Sequence, residues 1–308
     1  MDLYVKVRPK SFKQIVGQKY ITEMVKIWLR EHRVPHDILF TGPSGCGKTT
    51  WARLLRKKIG CGKPDCHEVN AADAKGIDMV RDIRNRMGLM PTSGSCRVWI
   101  IDECHKLTSD AQSALLKILE DTPEHVYFFL CTTDPTKLIS TIRTRCTEIR
   151  VKTLQRDELK RVMNNACTQE TLGDIPKLVM DKIAEQSDGS ARKALVFLHQ
   201  VAHMKNPQAM LDLIERGSYE SDAIKICRSL FNVRTKWPDM VKVIDEVNKD
   251  NPESLRWLVL SYAKSVLRSG GKLSGRAFLV IQAFRDNWFD CKDVGLYAGC
   301  YEVLVGSK

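Results

Sequence analysis

Residues 42–49 read GPSGCGKT and place two glycines, a lysine and a hydroxyl residue in the pattern G-x-x-x-x-G-K-[ST]. Glycines at these positions let backbone N–H groups of Gly45, Cys46, Gly47, Lys48, Thr49 and Thr50 curl around phosphate oxygens. A lysine such as Lys48 can reach the β- and γ-phosphates, and the Thr49 hydroxyl can ligate Mg²⁺. The dipole of a following helix adds to the attraction for anions. The alternative, an accidental glycine turn, is opposed by context: the apolar run DILFT (37–41) precedes the motif and the helical pattern TTWARLLRKKIG overlaps its end.

A second element lies about fifty residues on, where RVWIIDECH (97–105) ends an apolar run in two acids. Asp102 is placed to approach the metal and Glu103 to polarise a water molecule. Two acids at a strand end are also common as a solvated terminus, and the spacing from the phosphate loop favours the chemical reading. The letters DECH resemble those of DExH-box helicases, but the remaining helicase motifs and a second domain of that kind are not found here. A third run, FFLCTTDP (128–135), ends in Thr132-Thr133. Polar residues at the C-terminal ends of parallel strands face the ligand crevice. Either threonine could hydrogen-bond a terminal phosphate or the attacking water; a strand cap before Asp134-Pro135 is the alternative. Finally, ISTIRTRCTEIR (139–150) sets Arg143 and Arg145 among small and apolar residues, where the plain structural alternative for Arg145 is a pairing with a distant carboxylate such as Glu148.

These groups need a scaffold. Strand-like runs recur at DILFT, CHEVNA, RVWIID (97–102), VYFFLCTT (126–133) and TEIRV (147–151), with helical patterns at MVRDIRNRM (79–87) and SDAQSALLKILED (109–121). Alternating strands and helices predict an α/β domain with a largely parallel sheet. Beyond about residue 152 the pattern is helical, with DIPKLVMDKIAEQ and SARKALVFLHQVAHM as its clearest pieces. From about 218, SDAIKICRSLF, MVKVIDEVNK, ESLRWLVLSYAKSVLR, RAFLVIQAFRDNW and YAGCYEVLV predict a further bundle, with KWPD, DNPES and SGGKLSG as linkers. The expected architecture is an α/β domain over 1–152, a small helical domain over 153–217 and an all-helical domain over 218–308.

Composition agrees with a globular protein: 43% of the 308 residues are hydrophobic and 28% charged. No apolar run approaches the ~20 residues that span a bilayer, and MDLYVKVRPK lacks the apolar core of a signal peptide. A cytoplasmic protein without a membrane partner is expected. Eleven cysteines, an odd number set in apolar segments, suggest free thiols in a reducing compartment. A zinc site is not expected, because Cys61, Cys66 and His67 offer three ligands where a tetrahedral site needs four. The net charge is +12, and residues 1–100 hold 19 Lys/Arg against 9 Asp/Glu, so most of the excess lies there. A localised basic excess suits a polyanion, nucleic acid first, although a solvated basic surface would also account for it.

With the elements in this order, the chain resembles AAA+ clamp-loader ATPases, the bacterial gamma/tau-type subunits and the small subunits of replication factor C. YVKVRPKSFKQIVGQ (4–18) is similar to the opening box of that family, and similarity continues through HDILFTGPSGCGKTT, NAAD, GIDMVRDI, VWIIDECHKLTSDAQSALLKILEDTPEHVYFFLCTTDPTKL and GSARKAL. It covers about the first 205 residues. The resemblance implies an AAA+ RecA-like sheet domain, a helical lid and a helical collar that holds an oligomer together, with ATP and Mg²⁺ as cofactors. Val7, Arg8, Pro9 and Val16 would then cover the adenine. TRC (144–146) resembles the Ser-Arg-Cys motif of the family, so Arg145 would act on the ATP site of a neighbouring subunit. Arg192, in GSARKAL, would be the second sensor from the lid and Thr133 the first sensor, with Thr132 adjacent. Two departures stand out: the four-cysteine zinc module of the bacterial gamma-type subunits is missing, and the chain is expected to lack the additional domains of the longer bacterial form. Both suggest a compact phage or viral version.

The family pattern also implies DNA contact. GIDMVRDIRNR (76–86) spaces Arg81 and Arg84 on one helix face, suited to template phosphates, and Ser109 and Gln112 could add neutral contacts. An exposed amphipathic helix is the plain alternative. The implied partners are a sliding clamp, met around Ile77–Arg97, primer–template DNA and other loader subunits in a pentameric assembly. The alternative function is a Holliday-junction branch-migration motor or another AAA+ DNA-remodelling ATPase, which shares the opening box and phosphate loop but ends in a winged helix. A scaffold that binds ATP without hydrolysing it is opposed by intact Lys48, Thr49, Asp102, Glu103 and Arg145.

Overall fold

Why the strands form a buried parallel sheet is visible in their residues. In the computed structural model, which describes residues 1–72, 76–247, 249, 251–271, 273–288 and 293–306 and the side chains there except 216 and 218–221, five strands pair in the order β2-β3-β4-β1-β5. They are β1 (Asp37–Thr41), β2 (Cys66–Asn70), β3 (Arg97–Asp102), β4 (Val126–Thr132) and β5 (Thr147–Arg150), all parallel. Successive residues of a strand point to opposite faces, and both faces here are covered. Leu39, Trp99, Ile101, Phe128 and Leu130 pack on one side against α4 (Gly76–Met87), α5 (Ser109–Glu120) and α6 (Ser140–Arg145). Ile38, Phe40, Val98, Ile100, Phe129 and Cys131 pack on the other against α2 (Lys19–Arg30) and α3 (Lys48–Lys58). The predicted α/β class and parallel sheet are therefore present, as AAA+ proteins have them.

The chain divides into two compact units, Met1–His203 and Met204–Lys308. The first holds the short N-terminal helix α1 (Leu3–Lys6), the sheet with its helices, and then α7 (Arg156–Glu170), α8 (Lys177–Gln186) and α9 (Ala191–Val201). The second holds α10 (Pro207–Phe231), α11 (Trp237–Glu246), α12 (Pro252–Arg268), α13 (Ser274–Ala283) and α14 (Asp293–Leu304). Its core includes Ile226, Leu230, Met240, Leu255, Val259, Val280, Phe284 and Leu296. Within it Arg256, 3% exposed, is paired with Glu253 and donates to the Phe284 carbonyl at 2.8 Å, a buried cation with its hydrogen bonds satisfied.

Three details of the sequence reading differ. Helix α10 runs through residues 217 and 218, where the pattern placed a boundary, and absorbs Gly217 in its interior. Pro238 and Pro252, read as linker breakers, occupy the first turns of α11 and α12, where a missing N–H costs nothing. Helix α13 ends at Ala283, short of RDNW. Asp73 of NAAD, Lys272 of SGGKLSG, Asn248, Asp250, Phe289 and Cys291 lie outside the described residues. Among the described residues no helix is long and apolar enough to cross a membrane.

Candidate nucleotide-binding site

The C-terminal ends of β2 and β3 and the loop after β1 line a cavity of about 950 Å³, with residues of α7 and α9 on its wall as well. The phosphate loop leaves β1 with Gly42 at φ +141° and Gly45 at φ +75°. A Cβ on Gly42 would stand 2.1 Å from the Val151 carbonyl oxygen, and one on Gly45 would stand 2.2 Å from Ser190 Oγ. Both positions thus require glycine for space as well as for conformation.

Lys48 is 6% exposed, and its Nζ donates to the carbonyls of Gly42 and Pro43, each at 2.8 Å. No carboxylate among the described residues pairs with it, so a buried ammonium is held by neutral oxygens alone. A phosphate group would supply the missing counter-charge. Thr49 Oγ1 donates to Asp102 Oδ2 at 2.8 Å, which brings together the hydroxyl and the carboxylate suited to one Mg²⁺. The residues present therefore fit a magnesium nucleotide. The Cys46 thiol donates to the Pro43 carbonyl at 2.9 Å, and burial pushes its pKa up, which makes it a packing group.

Asp102 Oδ1 accepts the Glu103 backbone N–H at 2.9 Å. Glu103 itself is held at φ +52°, a left-handed conformation that is strained for a side-chain-bearing residue. A 3-10 turn over Cys104–Lys106 follows and brings His105 back beside it, with His105 Nε2 3.4 Å from Glu103 Oε2. The other ring nitrogen, Nδ1, lies 3.0 Å from Thr132 Oγ1, which also accepts the Asp134 N–H at 3.0 Å.

Most predicted site residues meet here. Val7, Arg8, Pro9, Val16, Gly45, Cys46, Gly47, Lys48, Thr49, Thr50, Asp102, Glu103 and Arg192 all line the cavity. Ser190 caps α9, accepting the Lys193 N–H at 3.3 Å, and so sets Arg192 in the first turn, facing the phosphate loop. The Arg192 guanidinium lies over the Tyr4 ring, 5.6 Å from its centroid, and pairs with no carboxylate among the described residues. Sequence reasoning missed Tyr4, which also lines the cavity, and missed Asn165 and Gln169, set four apart on α7 and facing the same space. Helical spacing could have found that last pair once α7 was recognised as a wall of the site.

The other predicted residues lie outside this cavity. Thr132 and Thr133 do not line the cavity; Thr132 is fully buried and bonded to His105, whereas Thr133, the favoured sensor, is half-buried just past the strand. Arg145 does not line the cavity of its own chain, and it has an intrachain partner: its Nη2 is 3.3 Å from Glu120 Oε1. The suggested partner Glu148 instead accepts the Thr41 hydroxyl at 2.8 Å, because residue 148 in β5 sits beside β1. Gln112 is 4% exposed and fully committed, donating to the carbonyls of Leu107 and Lys137 at 3.1 Å and accepting the Ile139 N–H at 2.9 Å. It cannot reach DNA, and holds α5 against the start of α6. Ser109 is exposed, as are Arg81 and Arg84 on α4, whose buried positions include Val80 and Ile83. Arg81 is 3.4 Å from Asp78. His67 stacks on Trp99 with ring centroids 4.2 Å apart, and no group of three or more ligating side chains placed to hold a metal occurs among the described residues.

Comparison with known proteins follows this geometry. Residues 63–155 match the family described as DNA polymerase III, delta subunit, a match that begins after the phosphate loop. DNA polymerase III subunit gamma/tau of Mycobacterium bovis is 34% identical over 224 residues, 65% of this chain and 39% of that protein. Subunit tau of Bacillus subtilis is 35% identical over 219 residues, 64% of this chain and 39% of that protein. The chain thus spans about two fifths of the length of these relatives. Among solved structures, the RuvB Holliday junction branch migration motor of Thermotoga maritima aligns with a TM-score of 0.55 at 19% identity, covering 96% of this chain and 87% of that one. A variant of the same protein aligns with a TM-score of 0.61 at 21% identity, covering 83% and 91%. Identity at that level speaks for the fold alone. The chain has the AAA+ fold and, over about two thirds of its length, is similar to DNA polymerase III subunits gamma/tau and tau.

Proposed function

We propose that the chain is the ATPase subunit of a sliding-clamp loader, which uses ATP binding and hydrolysis to place a polymerase processivity clamp on primer–template DNA in the cytoplasm. The observation that carries this is the convergence of a buried, carboxylate-free Lys48 with Thr49, Asp102, Glu103 and Arg192 on one cavity, in a chain similar to gamma/tau subunits. Val7, Arg8, Pro9 and Val16 hold the adenine. Backbone N–H groups from Gly45 to Thr50 and the Lys48 amine hold the phosphates. Thr49 and Asp102 hold Mg²⁺, which when bound neutralises charge on the β- and γ-phosphates. Glu103 orients and deprotonates the attacking water, and Arg192 reads the γ-phosphate from the lid.

Arg145, absent from its own cavity and half-exposed at the end of α6, acts on a neighbour's ATP. A guanidinium suits that role because its planar fork meets phosphate oxygens bidentately. Several copies, five in the full assembly, are joined through the helical C-terminal region that begins with α10, and helices α7, α8 and α9 move as the lid. Arg81 and Arg84 contact template phosphates without regard to sequence.

The test is steady-state ATPase of the assembled protein with primer–template DNA, with and without its sliding clamp, alongside Arg145→Ala. Joint stimulation by clamp and primed DNA, lost in Arg145→Ala while nucleotide binding persists, supports the loader. Stimulation by four-way junction DNA with indifference to the clamp overturns it in favour of a branch-migration motor.

A further inference from the structure

Beside Glu103, outside the cavity lining itself, stands a side chain that the reading above leaves without a role. His105 is nearly buried, its side chain 9% exposed, and stands between two groups with opposite needs. Nε2 faces the Glu103 carboxylate at 3.4 Å, and Nδ1 faces the Thr132 hydroxyl at 3.0 Å. Thr132 is fixed from its far side by the Asp134 N–H and is completely buried. The chain of contacts therefore runs from a buried strand end, through an imidazole, to the one carboxylate in the site that must be aimed at water.

Glu103 needs such a support. Its backbone N–H is tied to Asp102, but its carboxylate makes no hydrogen bond among the described residues, and His105 Nε2 stands beside it at 3.4 Å. An unconstrained glutamate has three rotatable bonds, and a general base must lie within hydrogen-bond reach of the proton that it removes. The left-handed backbone at Glu103 and the turn over Cys104–Lys106 are what bring residue 105 back beside residue 103. In an extended strand, residues two apart share a face but stand nearly 7 Å apart.

We propose that His105 is a positioning residue for hydrolysis, which aims the Glu103 carboxylate through Nε2 and couples that aim to Thr132 at the end of β4 through Nδ1. This rests on the reading of Glu103 as the group that activates water. It also assigns the coupled threonine as Thr132. A movement of the β4 end would swing the imidazole and with it the carboxylate, so that hydrolysis responds to a residue that does not itself touch the cavity.

The two ring nitrogens can be tested separately, because a glutamine places its amide nitrogen near the Nε2 position and an asparagine near Nδ1. In the assembled protein with primer–template DNA and clamp, His105→Ala is expected to lower kcat roughly ten- to a hundredfold, part of what a general base contributes. The Kd for the triphosphate, measured by titration without hydrolysis, stays within about twofold. His105→Gln recovers much of kcat and His105→Asn does not. Thermal melts of all three variants are measured in parallel. Loss of kcat together with nucleotide affinity, or equal effects of Gln and Asn, would show a merely structural histidine and overturn the proposal. Glu103→Gln is the control for the underlying reading. If it hydrolyses normally, that reading of the site falls. If it is inactive while every His105 variant matches the wild type, only the present inference falls.

Discussion

The Arg145 guanidinium stands 3.3 Å from the Glu120 carboxylate, joining the last residue of α6 to the last residue of α5. Both side chains are about 40% exposed, so water screens the pair and its contribution to stability is small. A guanidinium held this way keeps its direction without being locked. Its own chain offers it no phosphate, since it lies outside the cavity lining.

Replacing either partner should therefore separate stability from activity. Glu120→Gln and Arg145→Ala are each expected to change unfolding free energy by less than about 1 kcal/mol, read by urea denaturation. Arg145→Ala should also lower ATPase of the assembled protein by roughly 10³-fold or more, while Glu120→Gln keeps most of it. A large stability loss in Arg145→Ala would show a structural arginine.

Asp37 gives a pH prediction with a definite sign. Burial raises its pKa to about 6, against the smaller opposing effects of His36 and Arg145, and its Oδ1 has no hydrogen-bond partner. A carboxyl whose folded pKa lies above its unfolded one is favoured when protonated. Its contribution is fully present below about pH 4 and is lost as pH rises through 6. Asp37→Asn should raise the melting temperature at pH 7.5 relative to the wild type and leave it nearly unchanged at pH 3.5. Equal shifts at both pH values would refute the assignment.

On α4, Arg81→Ala and Arg84→Ala should weaken binding to primer–template DNA uniformly across sequences. Each should reduce the slope of log K against log salt by about one, measured by fluorescence anisotropy between two salt concentrations. Gln112→Ala behaves differently: it strips donors from two carbonyls and an acceptor from one N–H in a buried site, costing about 2–4 kcal/mol of stability. Its salt slope stays that of the wild type.

Tyr4 holds the Arg192 cation by its ring face, a contact that leaves the guanidinium N–H groups free for phosphate. Tyr4→Leu is expected to reduce the preference for nucleoside triphosphate over diphosphate by about two- to fivefold, and Tyr4→Phe to preserve it. Competition binding with both nucleotides gives the ratio directly, and an unchanged ratio in Tyr4→Leu with a reduced one in Arg192→Ala counts against the contact.

Much of the frame was legible because strand alternation and the phosphate motif are local signals. Ile38, Leu39 and Phe40 alternate between the two faces as a doubly covered strand must, and GPSGCGKT specifies its own backbone. What escaped depends on distant partners. Gln112 carries the same polar letter as a solvent-facing residue, and only the carbonyls of Leu107 and Lys137 reveal it as a buried clasp. Glu120 is the partner of Arg145 because two helix ends meet, which no spacing in one dimension encodes. The inward direction of Thr132 was legible: Phe128 and Leu130 share a face, so Thr132 continues their parity into the side that carries His105. Pro238 and Pro252 misled because proline ends a helix from within but suits its first turn.

The close approach of Gly45 to Ser190 has a mechanical meaning. With 2.2 Å between an added Cβ and the hydroxyl, the phosphate loop and the first turn of α9 act as meshed parts with no slack. A single methyl at residue 45 would be a wedge that only a withdrawn α9 could accommodate. The loop is thus in touch with the first turn of α9 before any charge is exchanged, and the bare backbone at residue 45 is the bearing surface between them.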